Sequence, residues 1–178
     1  PTARVETART GWGHVSPWGP DGEIVIAHNA NNLELCRRDT KGSGAWTEWS
    51  YTGVAKPTWP KHCTSGDNNE YLHVMYSTYG DYGGLIGEAY VYCRSTDGGD
   101  TWDIQDVILD GMGADAYYGF QAETYFMASR GDVVAIFVSG AWQDNFIMKS
   151  YDNGDTWEKI MVWEHPYPYF DFETTITD

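Results

Sequence analysis

Two octapeptides concentrate the residues best suited to chemistry, Ser95-Thr96-Asp97-Gly98-Gly99-Asp100-Thr101-Trp102 and Ser150-Tyr151-Asp152-Asn153-Gly154-Asp155-Thr156-Trp157. Closely spaced carboxylates around a glycine invite a calcium loop, in which Asp side chains converge on a hard cation. The glutamate that an EF-hand places at loop position 12 is missing, because Ile108 and Trp163 stand there. A structural calcium ion is therefore the one cofactor left open. The stronger reading is a turn that consumes its own acid. Asp97 and Asp152 can accept backbone N–H groups of their own turn. Gly99 and Gly154 permit a positive φ. Ser95, Thr101, Ser150 and Thr156 can tie the two sides together, and Trp102 and Trp157 can lay their rings beneath the hairpin. These residues are read as structural, and none as catalytic.

Other reactive side chains form no set. The five histidines, His14, His28, His62, His73 and His165, show no metal-ligand spacing. Cys36, Cys63 and Cys93 are an odd count without a CxxC pair, so buried free thiols are expected, with one bridge and a leftover thiol as the alternative. No Ser/His/Asp or Cys/His arrangement can be assembled from the spacings. Glu123 stands beside Tyr125 and is read as a satisfied inward carboxylate in preference to a general base.

Lys plus Arg total 11 against 26 Asp plus Glu, a formal charge of -15 that repels phosphate backbones and anionic lipid. Nucleic-acid binding is not expected. No stretch approaches the roughly 20 apolar residues of a membrane helix, so membrane insertion is not expected either. Aromatic residues make up 16%, carried by 13 Tyr and 9 Trp rather than by 6 Phe, which suits half-buried sheets and sugar-facing surfaces.

The elements that must position these residues follow from the repeats. Trp102 and Trp157 lie 55 residues apart, and a degenerate third copy, CRRDTKGSGAW at 36–46, puts Trp46 a further 56 residues upstream. Each unit divides into four short runs of β-branched and aromatic residues between turn signals. GWGHVSPW, EIVIAHN, LELCRR and WTEWSYT form the first unit, and KHCTS, EYLHVMYST, EAYVYCRS and WDIQDVIL the second. QAETYFMAS, VVAIFVS, NFIMKS and WEKIMVW form the third. The predicted fold is all-β, a fragment of a β-propeller with about three four-stranded antiparallel blades and partial strands at each end. Residues 1–9 read as the end of a preceding blade, and 10–55 as a blade with the degenerate turn. Residues 56–110 and 111–169 read as two blades with intact turns, and 170–178 as the first strand of a following blade. A ring needs about four to eight such blades, so the chain, which opens without an initiating Met, is expected to be completed by further blades of a longer parent.

The two octapeptides closely resemble the Asp-box, or BNR repeat, of the sialidase superfamily. That resemblance implies a β-propeller and a secreted or cell-surface location, without fixing an activity. A sialidase is expected to carry three arginines for the substrate carboxylate, a Tyr–Glu pair and an Asp acid/base. The usual Arg-Ile-Pro tripeptide is absent. Arg37 and Arg94 fall on third strands near the repeated turn and Arg130 in a hairpin, and none of these places suits a substrate.

In such a blade the first-to-second and third-to-fourth strand turns share one end, and the remaining connections share the other. Those remaining connections are 29–32, 56–60, 79–87, 110–119, 141–145 and 164–171, rich in Tyr, Trp, Asp and Gly and lacking arginine. The expected recognition residues are Tyr79, Asp81, Tyr82, Asp115, Tyr117, Tyr118 and Trp142, with loops folded over their own blades as the competing reading. The leading expectation is a non-catalytic propeller module binding glycan or protein through this end. One alternative is part of a sialidase-type exo-glycosidase with most catalytic residues outside this segment. Another is an architectural part of a secreted assembly.

Overall fold

The computed structural model describes residues 10–29, 31–84, 89–109, 112, 125–139 and 144–164, and among them there is no helix. Twelve strands form three four-stranded antiparallel sheets, each in simple sequence order. Sheet I contains β1 (Gly11–Trp18), β2 (Gly22–His28), β3 (Leu33–Arg38) and β4 (Thr47–Tyr51). Sheet II contains β5 (Pro57–Ser65), β6 (Tyr71–Thr78), β7 (Tyr90–Ser95) and β8 (Ile104–Val107). Sheet III contains β9 (Tyr125–Arg130), β10 (Val133–Val138), β11 (Asn145–Ser150) and β12 (Glu158–Trp163).

One expectation is corrected. Residues 56–60 were expected as a connecting loop, but Pro57–Pro60 belong to β5. The strand tolerates both prolines because it lies at a sheet edge and its pairing with β6 shifts register between Thr58 and Lys61. β1 breaks register against β2 in the same way between Gly11 and His14.

The sheets stack front to back, and the cross-strand registers show one plan repeated. On the front of sheet I, His14, Ile26, Leu35 and Trp49 form a row, followed by Ser16, Ile24, Arg37 and Thr47. The matching rows on sheet II are Lys61, Met75, Tyr92, Val107 and Cys63, His73, Arg94, Ile104. On sheet III they are Phe126, Phe137, Ile147, Ile160 and Ala128, Ala135, Lys149, Glu158.

Two apolar layers hold the stack. Ile24, Ile26, Leu33 and Leu35 of sheet I pack on Leu72, Val74, Tyr76, Val91 and Cys93 of sheet II. Met75, Tyr90 and Tyr92 on the other side of sheet II pack on Tyr125, Ile136, Val138, Phe146 and Met148 of sheet III. Sheet II is thus covered on both faces, which is why seven of the eight residues of β6 are buried and the strand shows no clean alternation. In sheet III the period-2 pattern survives along β9, β10 and β11. The first strands also meet directly. Ser16 and Thr64 donate hydroxyl bonds to the carbonyls of His62 and Pro17, and Ser129 donates to that of Thr64. All three cysteines are buried, and none forms a disulfide.

Candidate functional site at the loop-bearing end

The repeated turns lie at one end of the stack, and their acids are fully occupied. Asp97 Oδ1 accepts the Thr101 N–H at 2.8 Å and Oδ2 accepts the Thr101 hydroxyl at 2.6 Å. Ser95 Oγ donates to Asp97 at 2.8 Å and accepts the N–H of Gly99 at 2.8 Å. The second turn repeats this almost atom for atom. Asp152 takes the N–H and hydroxyl of Thr156 at 2.9 and 2.6 Å, and Ser150 Oγ takes the Gly154 N–H at 2.8 Å. The Thr156 hydroxyl and N–H hold the Asp152 carboxyl down at about 2. For Asp97 burial pushes the other way, yet the same donors from Thr101 and Ser95 keep it below its ordinary value. Such carboxylates are fixed anions and poor proton donors.

Each intact turn also docks on the sheet before it. Arg37 of β3 reaches the Asp97 carbonyl and lies 3.1 Å from Asp100 Oδ2. Arg94 of β7 donates to the Asn153 carbonyl at 2.8 Å and to Asp155 Oδ1 at 2.6 Å, while its Nε and Nη2 hold Asp103. Trp102 lies 5.0 Å from the Tyr51 ring and Trp157 5.2 Å from the Tyr92 ring, each indole filling the layer beneath its own turn. In sheet I the degenerate turn is held differently, by Glu23, which pairs with Arg38 and accepts the Gly42 N–H at 3.1 Å. Among the described residues no group of His, Cys, Asp or Glu is arranged to hold a metal ion.

The opposite end carries the other connections and an aromatic cluster. Trp12, in the register break of β1, is 53% exposed and has φ 56°. Trp59 occupies the equivalent break of β5 with φ 46°. The two indoles meet edge to face at 6.3 Å, and the buried His28 ring lies 5.1 Å from Trp12 and 6.1 Å from Trp59. Left-handed backbone in a bulky residue costs about 1–3 kcal/mol and persists where the surroundings enforce it. Tyr125 enforces it here by donating its hydroxyl to the Trp59 carbonyl at 2.5 Å. Beside the cluster, Ala55 and Lys56 have φ 46° and 58°, and their carbonyls accept the N–H of Tyr79.

The residues expected to form a recognition surface fall into three groups. Tyr79 is 65% exposed at this end, and Asp81 is exposed nearby. Tyr82 turns back over its own sheet, donating its hydroxyl to the Asp106 carbonyl at 2.8 Å and packing on the layer between sheets I and II. Asp115, Tyr117, Tyr118 and Trp142, with Glu123, lie outside the described residues. The 29–32 connection is closed on itself, Asn29 Oδ1 accepting the N–H groups of Asn31 and Asn32.

Trp12 was missed as a surface candidate because its run read as strand, and Trp59, although within the 56–60 connection, was not singled out. The available signal was the company they keep, Gly11-Trp12-Gly13 and Thr58-Trp59-Pro60, which marks breaks in two first strands at the same register. No known family model matches the chain, and no curated protein matches it in sequence.

Proposed function

We propose that the three sheets are blades of an Asp-box β-propeller and that the chain works as a non-catalytic, secreted or cell-surface module binding glycan through its loop-bearing end. The carrying observation is Trp12, an indole half open to solvent, held in left-handed backbone against Trp59 and His28. A pre-positioned aromatic face stacks on the C–H face of a sugar ring with little ordering cost. Tyr79 and Asp81, on the same end, supply a further aromatic body and hydrogen-bond acceptors. The acids of the repeated turns support a binding rather than a hydrolytic role, since their oxygens are taken up by Ser95, Thr101, Ser150 and Thr156. Asp106 of β8 takes the hydroxyls of Tyr51 of β4 and Tyr76 of β6 at 2.7 Å each, against the layer between sheets I and II.

The test is a glycan array followed by titration calorimetry on the best ligand, with wild type and Trp12→Ala. Binding that falls at least tenfold in Trp12→Ala supports the reading. Efficient turnover of a glycoside, or an array with no glycan retained, rejects it.

A further inference from the structure

Asn153-Gly154, in the second intact turn, is the one Asn-Gly pair of the chain. Such a pair is chemically labile, because glycine has no side chain to shield its nitrogen from the neighbouring amide. The first intact turn carries Gly98 at the matching position, so only the turn docked on sheet II holds the pair. The side-chain amide and both backbone groups of Asn153 are engaged where that turn docks. Its N–H donates to the Asp132 carbonyl at 2.9 Å, and its carbonyl accepts Arg94 Nη1 at 2.8 Å. Oδ1 accepts the Ser65 hydroxyl at 2.6 Å, and Nδ2 donates to Asp132 Oδ1 at 3.1 Å. Ser65 and Arg94 belong to sheet II, whereas Asp132 stands between β9 and β10 of sheet III. The Gly154 nitrogen is buried, and its N–H is held by Ser150 Oγ at 2.8 Å.

We propose that Asn153 is a deamidation site gated by the seam between sheets II and III, protected while the turn is docked and reactive once it lifts away. In the open state the Gly154 nitrogen, having lost its proton to hydroxide, attacks Asn153 Cγ. The N–Cγ bond forms, the Cγ–Nδ2 bond breaks, and Nδ2 leaves as ammonia with a proton taken from water. Water then adds to one carbonyl of the resulting succinimide and breaks its bond to nitrogen, leaving aspartate or isoaspartate. Either product removes the donor to Asp132 and sets a second carboxylate against the first, a like-charge contact where a hydrogen bond stood. Isoaspartate also lengthens the main chain in a turn whose Gly154 already lies against Tyr92 and His73. A single opening is thereby recorded covalently, and the altered turn no longer closes on sheet II. The inference uses neither the glycan nor further blades, so failure of those readings leaves it standing.

The experiment incubates the full chain in alkaline heavy-oxygen water, native and in guanidinium chloride, and reads the label at residue 153 by peptide mapping. Reaction at least about tenfold faster in the denatured chain is expected, since the rate follows the population of the open state. Ser65→Ala, with its fold checked by a protected Cys93, should react several-fold faster than wild type under native conditions. The denatured wild type is then refolded, copies bearing the added carboxylate are separated by anion exchange, and each fraction is pulse-labelled at its thiols. Cys63, beside Ser129 of sheet III, should label several-fold faster in the deamidated fraction, while Cys93, between sheets I and II, keeps its rate. Equal native and denatured rates, a folded Ser65→Ala no faster than wild type, or fractions that do not differ selectively at Cys63 would each overturn the proposal.

Discussion

Arg94 Nη1 stands 2.6 Å from Asp155 Oδ1, joining the third strand of sheet II to a turn of sheet III. The same guanidinium holds Asp103 of its own sheet, so one side chain fixes both the turn beside it and the turn that docks on it. Arg37 does the equivalent work one sheet earlier with a longer, single contact to Asp100. Arginine suits the task because its planar fork serves carbonyl and carboxylate acceptors at once.

Replacing Arg94 by Met should therefore destabilise the chain by about 2 kcal/mol, the usual range for a charge-assisted network with one largely buried partner. At this chain length that is a fall of about 4–8 °C in melting temperature. Asp155→Asn should cost under about 1 kcal/mol, because Asp155 is mostly exposed and water screens its charge. Calorimetric melts of the two variants check the ratio.

A buried relay gives the stack a pH dependence. Ser65 Oγ donates to Asn153 Oδ1 at 2.6 Å, so it must accept from His73 Nε2–H, and Nδ1 is then the acceptor of the Tyr92 hydroxyl at 2.7 Å. Burial, with the Arg94 charge behind it, lowers the His73 pKa to about 3, and burial lowers that of His62 to about 4. The unfolded chain binds these protons first. Stability from both groups should be complete above about pH 6.5 and fall on acidification, with a slope of up to about 1.4 kcal/mol per pH unit for each. Urea titrations between pH 8 and pH 4 read the slope. His73→Gln should remove about one proton's share of it, and an unchanged slope would refute the assignment.

The two intact turns predict a contrast among glycines. A Cβ on Gly99 (φ 97°) would meet Leu35 Cδ2 at 2.8 Å, and one on Gly154 (φ 85°) would collide with the Tyr92 hydroxyl. Gly131 has φ 57° and open space around it. Gly131→Ala should cost about 1 kcal/mol for the backbone alone. Gly99→Ala and Gly154→Ala should each cost at least about 1 kcal/mol more through overpacking. Equal losses at all three positions would show that the fit of turn to sheet matters little.

Trp12 offers a separation of binding from folding. Trp12→Gly removes a half-exposed indole and relieves the left-handed backbone, so stability should stay within about 1 kcal/mol of wild type. Glycan binding should drop at least tenfold in the same variant. A large loss of stability would place Trp12 in the core instead.

Much of the scaffold was legible because the signals were local. The octapeptides fixed the third-to-fourth strand turns, and GWGHVSPW, LELCRR and NFIMKS mark β1, β3 and β11 to the residue. The start of β5 was not legible, since Pro57 and Pro60 argue for a loop unless the edge position and the break near Trp59 are known. Which end carries the non-repeated connections was arguable from strand order. The aromatic cluster there was not, because it assembles residues 12, 28 and 59 through a match of register that no single segment carries. Asp100 and Asp155, the partners of Arg37 and Arg94 on the following sheet's turn, were hidden for the same reason, lying roughly sixty residues away in sequence.

Two of the three thiols turn the stack into its own gauge. Cys93 lies in the layer between sheets I and II, while Cys63 shares a front row with His73, toward Ser129 of sheet III, and burial pushes its thiol up to about 12. Neither sulfur can be alkylated until its own seam parts. Pulse labelling in mild denaturant therefore reports, by which cysteine carries the tag, whether the sheets peel away one by one or let go together.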